Sequence, residues 1–256
     1  VWSQVSRLGR VLCRTRQGDG HHPIQWTTKR KGRAVSQASS IYSTVAEDIL
    51  KLVWSAEEAG RDGVKPKDIA DHMRVVPSTA TENVQRLARQ GLVVHERYGR
   101  VRLTDEGRAI ALGMVRRHRL LETYLHEELG FSWDEVHEEA EILEHAVSQR
   151  LLDRLDRVLG YPRRDPHGDP IPRPDGSSEA VPGVPVADAP LGKHATVERL
   201  PDRDAGALRA WERGGLIPGA RIVIVGRADA GVTVALADGR SVLLDPTQAS
   251  EVIVRD

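Results

Sequence analysis

The amino-acid sequence predicts a mainly α-helical protein with small β elements, built as a winged helix-turn-helix, a helical domain and a C-terminal SH3-like small barrel. Three observations favour this fold class. Short helical periods and one hairpin pattern follow each other over residues 41–111. Two long amphipathic helical patterns come next. Short alternating strand patterns, separated by turns that contain Gly, fill the C-terminal part of the chain.

Changes in composition divide the chain of 256 residues, enough for two or three small domains, into five predicted segments. The segment before the C-terminal strands is rich in Pro and Gly and has no period, which is typical of a linker. The predicted segments are a basic, disordered extension (1–40), the winged helix-turn-helix (41–111), the helical domain (112–174), the linker (175–190) and the SH3-like domain (191–256).

Three helices and a hairpin predict the winged helix-turn-helix. STVAEDILKLVWSAEEAG has a helical apolar period that ends at Gly60, and KPKDIADHM tolerates Pro66 in its first turn. STATENVQRLARQG is a third helix that ends at Gly91, and the alternation on both sides of RYGR predicts a β-hairpin. The alternative is a small helical domain in which the hairpin has no role.

Two long helices are predicted for the helical domain. Thr104 can cap the first helix, which ends at Gly130. Ser132 can cap the second helix, which continues without a break to Gly160. The predicted apolar side of the second helix consists of Val136, Ala140, Leu143, Val147, Leu151 and Leu155. Such helices commonly pack against each other or across a dimer axis.

Charge is unevenly distributed although the formal net charge is zero. Residues 1–40 hold eight Lys or Arg against one Asp, whereas residues 112–160 hold six basic and eleven acidic side chains. This pattern favours an anionic partner at one end and a cation further on. The basic segment is a nucleic-acid-binding arm, a plain tail or sequence upstream of the folded domain. Cys13, the single cysteine, excludes an intramolecular disulfide and fits a reducing cytoplasm, and no apolar run is long enough to span a membrane.

The stretch VHEEAEILEH places carboxylates and imidazoles on one helical stripe. His137, Glu141 and Glu144 recur at steps of four and three, and His145 follows directly. Such a stripe suits a divalent cation, because each side chain offers a lone pair and none brings a positive charge. The alternative interpretation is a solvated, charged helix face.

The order of these motifs resembles that of the diphtheria-toxin-repressor family of metal-dependent transcriptional regulators. The resemblance covers about residues 41–256: a winged helix, two helices with RRHRLLE and VHEEAEILEH, the motif RDPHGDPIP and a small barrel. It is most specific over residues 92–174, where separate motifs occur in the expected order. The chain looks most like the manganese-sensing members of actinobacteria, which keep the third, FeoA-like domain.

The resemblance implies two metal sites. The primary site is implied at Asp48, Glu141, Glu144 and His145, and the ancillary site at His118, Glu122 and His137. The third domain of iron-type members adds two more ligands, and the matching positions here are Arg199, which cannot ligate, and Asp202, which can. Some shorter members have a ligating glutamate three residues after the primary-site aspartate. This chain has Lys51 there, so a closely spaced pair of metal ions is not expected.

Carboxylates replace softer ligands at two implied positions. Where iron-sensing members carry methionine and cysteine, this chain has Asp48 and Glu141. Hard carboxylate oxygens suit Mn(II) better than thioether or thiolate sulfur does. We therefore expect Mn(II) as the cofactor, with Fe(II) as the alternative.

The third helix of a winged helix-turn-helix enters the major groove, where its N-terminal residues reach base edges. The expected DNA-binding residues there are Val76, Pro77, Ser78, Thr79, Thr81 and Glu82. Glu82 stands where iron-type members have glutamine; it can accept from cytosine but repels phosphate. The arginines expected to hold the DNA backbone are Arg74, Arg86, Arg97, Arg100 and Arg102.

The residues and the resemblance together predict a cytoplasmic, Mn(II)-activated repressor of metal-uptake genes that is not an enzyme. Its expected partners are double-stranded operator DNA and a second copy of the chain, with two dimers on one operator as a further option. Two other classes stay open. One is a metal-dependent hydrolase, which would need an open coordination position. The other is a DNA-binding module whose barrel holds a small organic ligand.

Overall fold

Three ranges of the chain are described by the computed structural model: residues 42–96, 99–202 and 204–256. The extension predicted for residues 1–40 and the wing residue Arg97 lie outside the described residues. Within the three ranges, no helix combines the length and the apolar content that a membrane crossing requires.

Three helices and a two-stranded hairpin form the N-terminal winged module, as predicted. Ser43 caps the first helix by accepting a hydrogen bond from the Ala46 N–H. Pro66 and Pro77 begin the next two helices, where a missing N–H costs nothing. Apolar side chains of all five elements share one core. The elements are α1 (Thr44–Glu58), α2 (Pro66–His72), α3 (Pro77–Arg89), β1 (Val93–His95) and β2 (Val101–Leu103).

One long helix, α4 (Asp105–Leu129), joins the winged module to the helical domain. Thr104 caps its start, and Gly130 ends it in the left-handed conformation, as predicted. The N-terminal half of α4 packs into the core of the winged module, and its C-terminal half packs into a second core with the next helix. The predicted boundary between residues 111 and 112 therefore lies inside a continuous helix.

The prediction of a single helix over residues 132–160 is wrong. The structure has two helices there, α5 (Trp133–Leu143) and α6 (Gln149–Val158). The break occurs because the Ser148 hydroxyl caps α6, accepting a hydrogen bond from the Leu151 N–H. Leu151, predicted on the apolar side, is 46% exposed as a result.

The C-terminal domain is a small antiparallel sheet with two helices, which confirms the SH3-like prediction. Its strand order is β3-β8-β4-β5-β6-β7. The elements are β3 (Val184–Pro185), β4 (His194–Arg199), α7 (Ala205–Gly214), β5 (Arg221–Ala228), β6 (Gly231–Leu236), β7 (Ser241–Leu244), α8 (Pro246–Glu251) and β8 (Ile253–Arg255).

The predicted linker, residues 175–190, includes residues that belong to the C-terminal domain. Val184 and Pro185 pair with β8, and Val186 and Ala189 are buried in the core of the C-terminal domain. A strand of two residues shows no alternation, so the Pro and Gly around it dominate the sequence pattern. The sheet of this domain therefore begins at residue 184 rather than after residue 190.

Trp133 ties the C-terminal domain to the helical domain. It is the first residue of α5, yet its side chain is buried in the core of the C-terminal domain. Arg209 of α7 reinforces this contact by donating to Asp134 at 2.6 Å. These contacts hold α7 and the core of the C-terminal domain against α5.

We expect Gly107→Ala to destabilise the protein, because a Cβ at Gly107 would lie 1.9 Å from the carbonyl oxygen of Leu92. Overpacking of this kind costs about 1–3 kcal/mol of the free energy of unfolding. Gly113→Ala in the same helix is the matched control, since a Cβ there has no neighbour within 4 Å. That change should stabilise by up to about 1 kcal/mol. Chemical denaturation of the full chain measures both, and equal stabilities would contradict the described contact.

Candidate metal centre

Asp48, Glu144 and His145 come together where α1 meets the end of α5. Glu144 is the C-terminal cap of α5 and is fully buried, and His145 follows it in the turn. His145 Nε2 lies 2.9 Å from Asp48 Oδ1 and 3.6 Å from Glu144 Oε1. Ligand atoms of the three residues all lie within 4.8 Å of one another. Because Asp48 belongs to the winged module, this group joins two domains.

Glu141, the fourth residue implied at the primary site, faces Lys51. Its Oε1 accepts from Lys51 Nζ at 2.6 Å, and its side chain is 42% exposed. The same oxygen lies 3.9 Å from His118 Nδ1 and 3.9 Å from His137 Nε2. Glu141 therefore borders both implied sites rather than lying within one of them.

His118, Glu122 and His137 form a second group between α4 and α5. Glu122 Oε1 lies 2.9 Å from His118 Nε2 and 3.2 Å from His137 Nδ1. Asp202, which follows β4, brings its Oδ2 to 3.5 Å from His137 Nδ1. All four residues place a ligand atom within 4.8 Å of the others. Arg199, the other matched position of the third domain, forms an ion pair elsewhere.

His118 connects the two groups. Its Nδ1 lies 2.7 Å from Glu144 Oε2, and its Nε2 lies 2.9 Å from Glu122 Oε1. An imidazole can bind through one nitrogen while the other makes the hydrogen bond that orients the ring. Glu144, implied at the primary site, therefore orients a residue implied at the ancillary site.

Glu47 is a buried carboxylate that sequence reasoning missed. Its Oε2 lies 2.9 Å from His145 Nδ1, and the residue is 3% exposed. A carboxylate at this place sets the tautomer and the ring orientation of the histidine, so that Nε2 faces Asp48 and Glu144. The only signal in the sequence is its position beside Asp48, and neighbours along a helix point in different directions.

A third group of ligand-type side chains lies against Glu122. Asp165 and His167 of the motif RDPHGDPIP are buried, and their ligand atoms lie within 4.8 Å of those of Glu122. Gly168 permits the close approach of this loop to β4. Its φ is +93°, and a Cβ would lie 2.0 Å from the Glu198 carbonyl oxygen. The motif contributed to the resemblance, but its D-x-H spacing alone does not indicate ligands.

The first two groups fit a divalent cation better than they fit a closed hydrogen-bond network. Asp48 Oδ1 and Glu122 Oε2 are buried and accept no hydrogen bond from the described residues, although Asp48 Oδ1 lies 2.9 Å from His145 Nε2, whereas buried polar atoms nearly always have a partner. The donor atoms around them are carboxylate oxygens and imidazole nitrogens, with the Lys51 ammonium group beside the oxygens of Glu144. That donor set suits Mn(II), Fe(II) or Zn(II).

Opposing charges shape the protonation of the second group. Burial disfavours the charged form of His118, but the carboxylates of Glu122 and Glu144 outweigh burial and raise its pKa to about 10. Burial also disfavours charge on Glu122, yet His118 and His137 hold its pKa well below the usual range. A cation that binds His118 must therefore displace a proton.

The N-terminal part of α3 is accessible to solvent, as a recognition helix requires. Val76, which caps the helix, is 62% exposed, and Thr81 uses its hydroxyl to donate to the Pro77 carbonyl at 2.8 Å. The expected contact residues that are exposed are Val76, Pro77, Ser78, Thr79 and Glu82. They form one continuous surface at the start of the helix.

The four described arginines near this surface differ in their hydrogen-bond partners and in their exposure. Arg102 makes two hydrogen bonds of 2.7 Å to Asp62, so a phosphate would have to compete with that carboxylate. Arg100 donates to a backbone carbonyl, and Arg86 donates to a side chain of its own helix. Arg74, in the turn before α3, is exposed and has a positive φ of 52°.

An exposed helix in a winged module, whose first helix contributes Asp48 to a group of carboxylates and imidazoles shared with the helical domain, is typical of a DNA-binding protein with a metal centre. Comparisons with known proteins agree. Residues 42–101 match the iron-dependent repressor N-terminal DNA-binding domain, and residues 104–173 match the iron-dependent repressor metal-binding and dimerisation domain. Residues 184–256 match the FeoA domain.

Individual relatives cover most of the chain. The iron-dependent repressor IdeR of Mycobacterium tuberculosis is 30% identical over 220 residues, which are 81% of this chain and 95% of that protein. A manganese-dependent transcriptional repressor solved in complex with manganese is 47% identical, with a TM-score of 0.77 over 82% of this chain and 99% of that one. ScaR with bound Zn²⁺ is 30% identical, with a TM-score of 0.72 over 82% and 99%.

The chain belongs to the diphtheria-toxin-repressor family of metal-dependent transcriptional repressors. Members of this family regulate transcription and are not enzymes, which removes the metal-dependent hydrolase that the sequence left open. The matched domains account for DNA binding and dimerisation.

Glu47→Ala should weaken metal binding while the fold is retained, because His145 loses the carboxylate that orients its ring. Losing such an outer partner costs about 10–100-fold in metal affinity. Mn(II) titration followed by the electron paramagnetic resonance of free Mn(II) measures the change. Glu138→Ala, an exposed position on α5, is the control. Equal affinities of the two variants would contradict the orienting role.

Metal binding at the second group should release a proton from His118, because a pKa of about 10 keeps the imidazole protonated at neutral pH. The affinity should rise by about tenfold per pH unit between about pH 6.5 and 8.5, where the proton still has to leave. Calorimetry in two buffers of different ionisation enthalpy counts the released protons. His118→Gln should reduce the count by about one. An unchanged count would contradict the assignment of His118.

Proposed function

We propose that this chain is a Mn(II)-activated repressor of metal-uptake genes. The observation that supports the metal role most directly is the 2.9 Å separation of Asp48 Oδ1 and His145 Nε2 across the domain boundary, where no described residue donates a hydrogen bond to that buried oxygen. The proposed primary ligands are Asp48, Glu144 and His145, with Glu141, which borders both sites, as the fourth. The proposed ancillary ligands are His118, Glu122, His137 and Asp202.

The choice of Mn(II) over Fe(II) is supported by chemistry and by similarity. Asp48 and Glu141 offer hard oxygens, which suit Mn(II). The manganese-dependent repressor is 47% identical to this chain, whereas the iron-dependent IdeR is 30% identical. Affinity order alone favours later metals, so geometry and metal availability must contribute to selection. Fe(II) is the second candidate, because curated relatives are iron-dependent repressors.

The packing of α1 suggests how metal binding would reach DNA. This helix carries Asp48 and shares a core with α3, so a fixed α1 also fixes the recognition helix. When bound, the cation supplies the attraction that draws Asp48 towards Glu144 and His145. A ligand that binds only this arrangement raises its population. In a dimer of two such chains, the fixed winged modules would then hold the two recognition helices at one spacing.

A homodimer through the helical domain completes the proposal. Ile142 and Val158 are 69% and 62% exposed, which supports an apolar contact between two copies. Two recognition helices in such a dimer would read half-sites about one helical turn apart. We propose α3 from Val76 to Glu82 for base contacts and the nearby arginines for phosphates. The repressor would act on operator DNA in the cytoplasm, with one or two dimers per operator.

A DNA-binding titration tests this proposal. Labelled DNA from upstream of the gene is titrated with the full chain, and fluorescence anisotropy is recorded with Mn(II), with Fe(II), with Zn(II) and without metal. Glu144→Gln keeps the size of the side chain but removes its charge, so Mn(II)-dependent binding should fall by at least about tenfold. Glu138→Gln on the exposed side of α5 should bind as the unaltered chain does.

Each other outcome of this titration has a distinct meaning. Stronger activation by Fe(II) than by Mn(II) at equal free concentrations would reassign the cofactor. Full binding without metal would overturn metal activation and favour a small organic effector in the C-terminal domain. Unchanged Mn(II)-dependent binding by Glu144→Gln would refute the primary site.

A further inference from the structure

Lys51 holds an unusual position for a cation, because its ammonium group lies among carboxylates proposed to bind metal. Its Nζ donates to Glu141 Oε1 at 2.6 Å and to Glu144 Oε1 and Oε2 at 2.7 and 2.9 Å. It also lies 3.5 Å from His118 Nδ1. The side chain is 15% exposed, so solvent screens these contacts only weakly.

The contacts of Lys51 cross a domain boundary. Lys51 belongs to α1 of the winged module, whereas Glu141 and Glu144 belong to α5 and its cap. Glu144 is fully buried, and a buried carboxylate needs a cationic or hydrogen-bonding partner. Lys51 supplies such a partner to Glu144 and links α1 to the end of α5.

A divalent cation at the primary site would need the same carboxylate oxygens. Both oxygens of Glu144 are engaged by Lys51, and Glu141 meets Lys51 through the oxygen nearest to the histidines. The ammonium group and a metal ion repel each other at such separations. Metal binding must therefore move the ammonium group of Lys51 away or occur despite electrostatic repulsion from it.

Space for a displaced Lys51 lies next to it. A crevice of about 590 Å³ lies between the three domains. Its lining includes Lys51 and the carboxylates of Glu58, Asp169 and Asp202. The four-carbon stem of lysine is flexible, so the ammonium group can move into this crevice without a shift of α1. Glu58 and Asp169 already pair with Arg119 and Arg199, so the crevice offers room for the ammonium group rather than a new ion pair.

We propose that Lys51 is a tethered competitor for the primary site, which sets the metal concentration at which the site fills. This inference rests on the proposed function, because it assigns Lys51 a role towards the same ligands. A purely structural ion pair differs in one measurable respect: its loss would leave metal affinity unchanged or lower it, whereas the loss of a competitor raises it.

The test compares Mn(II) binding by the full chain and by Lys51→Met, which keeps the length of the side chain and removes its charge. Isothermal titration with MnCl2 should give a Kd for Lys51→Met at least about tenfold lower than that of the unaltered chain. Lys193→Met, at an exposed lysine of the C-terminal domain, should leave the Kd unchanged. In the absence of metal, Lys51→Met should have a lower melting temperature, because Glu144 loses its partner.

Lys51→Gln provides a second variant if Lys51→Met does not fold without metal, since the amide still donates a hydrogen bond to Glu144. It too should bind Mn(II) more tightly than the unaltered chain. An equal or higher Kd for the folded variants would overturn the competitor role while leaving the proposed function intact. A failure of the unaltered chain to bind Mn(II) would overturn the proposed function together with this inference.

Discussion

The buried carboxylate of Glu144 is compensated by side chains from several parts of the fold. Lys51 of α1 reaches it at 2.7 Å, His118 of α4 at 2.7 Å, and His145 lies 3.6 Å away in the next turn. A negative charge without solvent is tolerated only with such compensation. Glu144 therefore links α1 and α4 to the end of α5, and a change in its charge affects both domains.

A second network of charged side chains links the C-terminal domain to the winged module and the helical domain. Arg119 of α4 donates to Glu58 of α1 at 2.9 Å and lies 3.4 Å from Asp169, which in turn pairs with Arg199 of β4 at 2.8 Å. The Arg119 guanidinium also lies 5.3 Å from the ring centroid of Trp54. This network places the end of β4, and with it Asp202, beside His137. The second group of ligand-type side chains, which includes His137 and Asp202, is thus assembled from two domains, as the first group is.

The fold alone does not determine which metal binds, because iron-dependent and manganese-dependent relatives both match most of this chain. Selection has to arise from the ligands and from the charges around them. In the proposed primary site, Asp48 and Glu141 would set the hardness of the donor atoms. The Lys51 ammonium group and the proton on His118, whose pKa is raised to about 10, would compete with an incoming metal ion. Under this proposal, affinity and selectivity depend on residues that are not ligands as well as on the ligands.

Local patterns determined much of this protein from the sequence alone: the winged module, the start and end of α4, and the SH3-like domain follow from helical and strand periods and from caps. The stripe of His137, Glu141 and Glu144 was visible for the same reason. The break before α6 was missed, because a capping Ser148 has no period of its own. Only the tertiary structure joined Glu47 to His145, which are 98 residues apart, and Lys51 to Glu144, which are 93 apart. Such pairs depend on how whole helices pack, and spacing along the chain does not encode that.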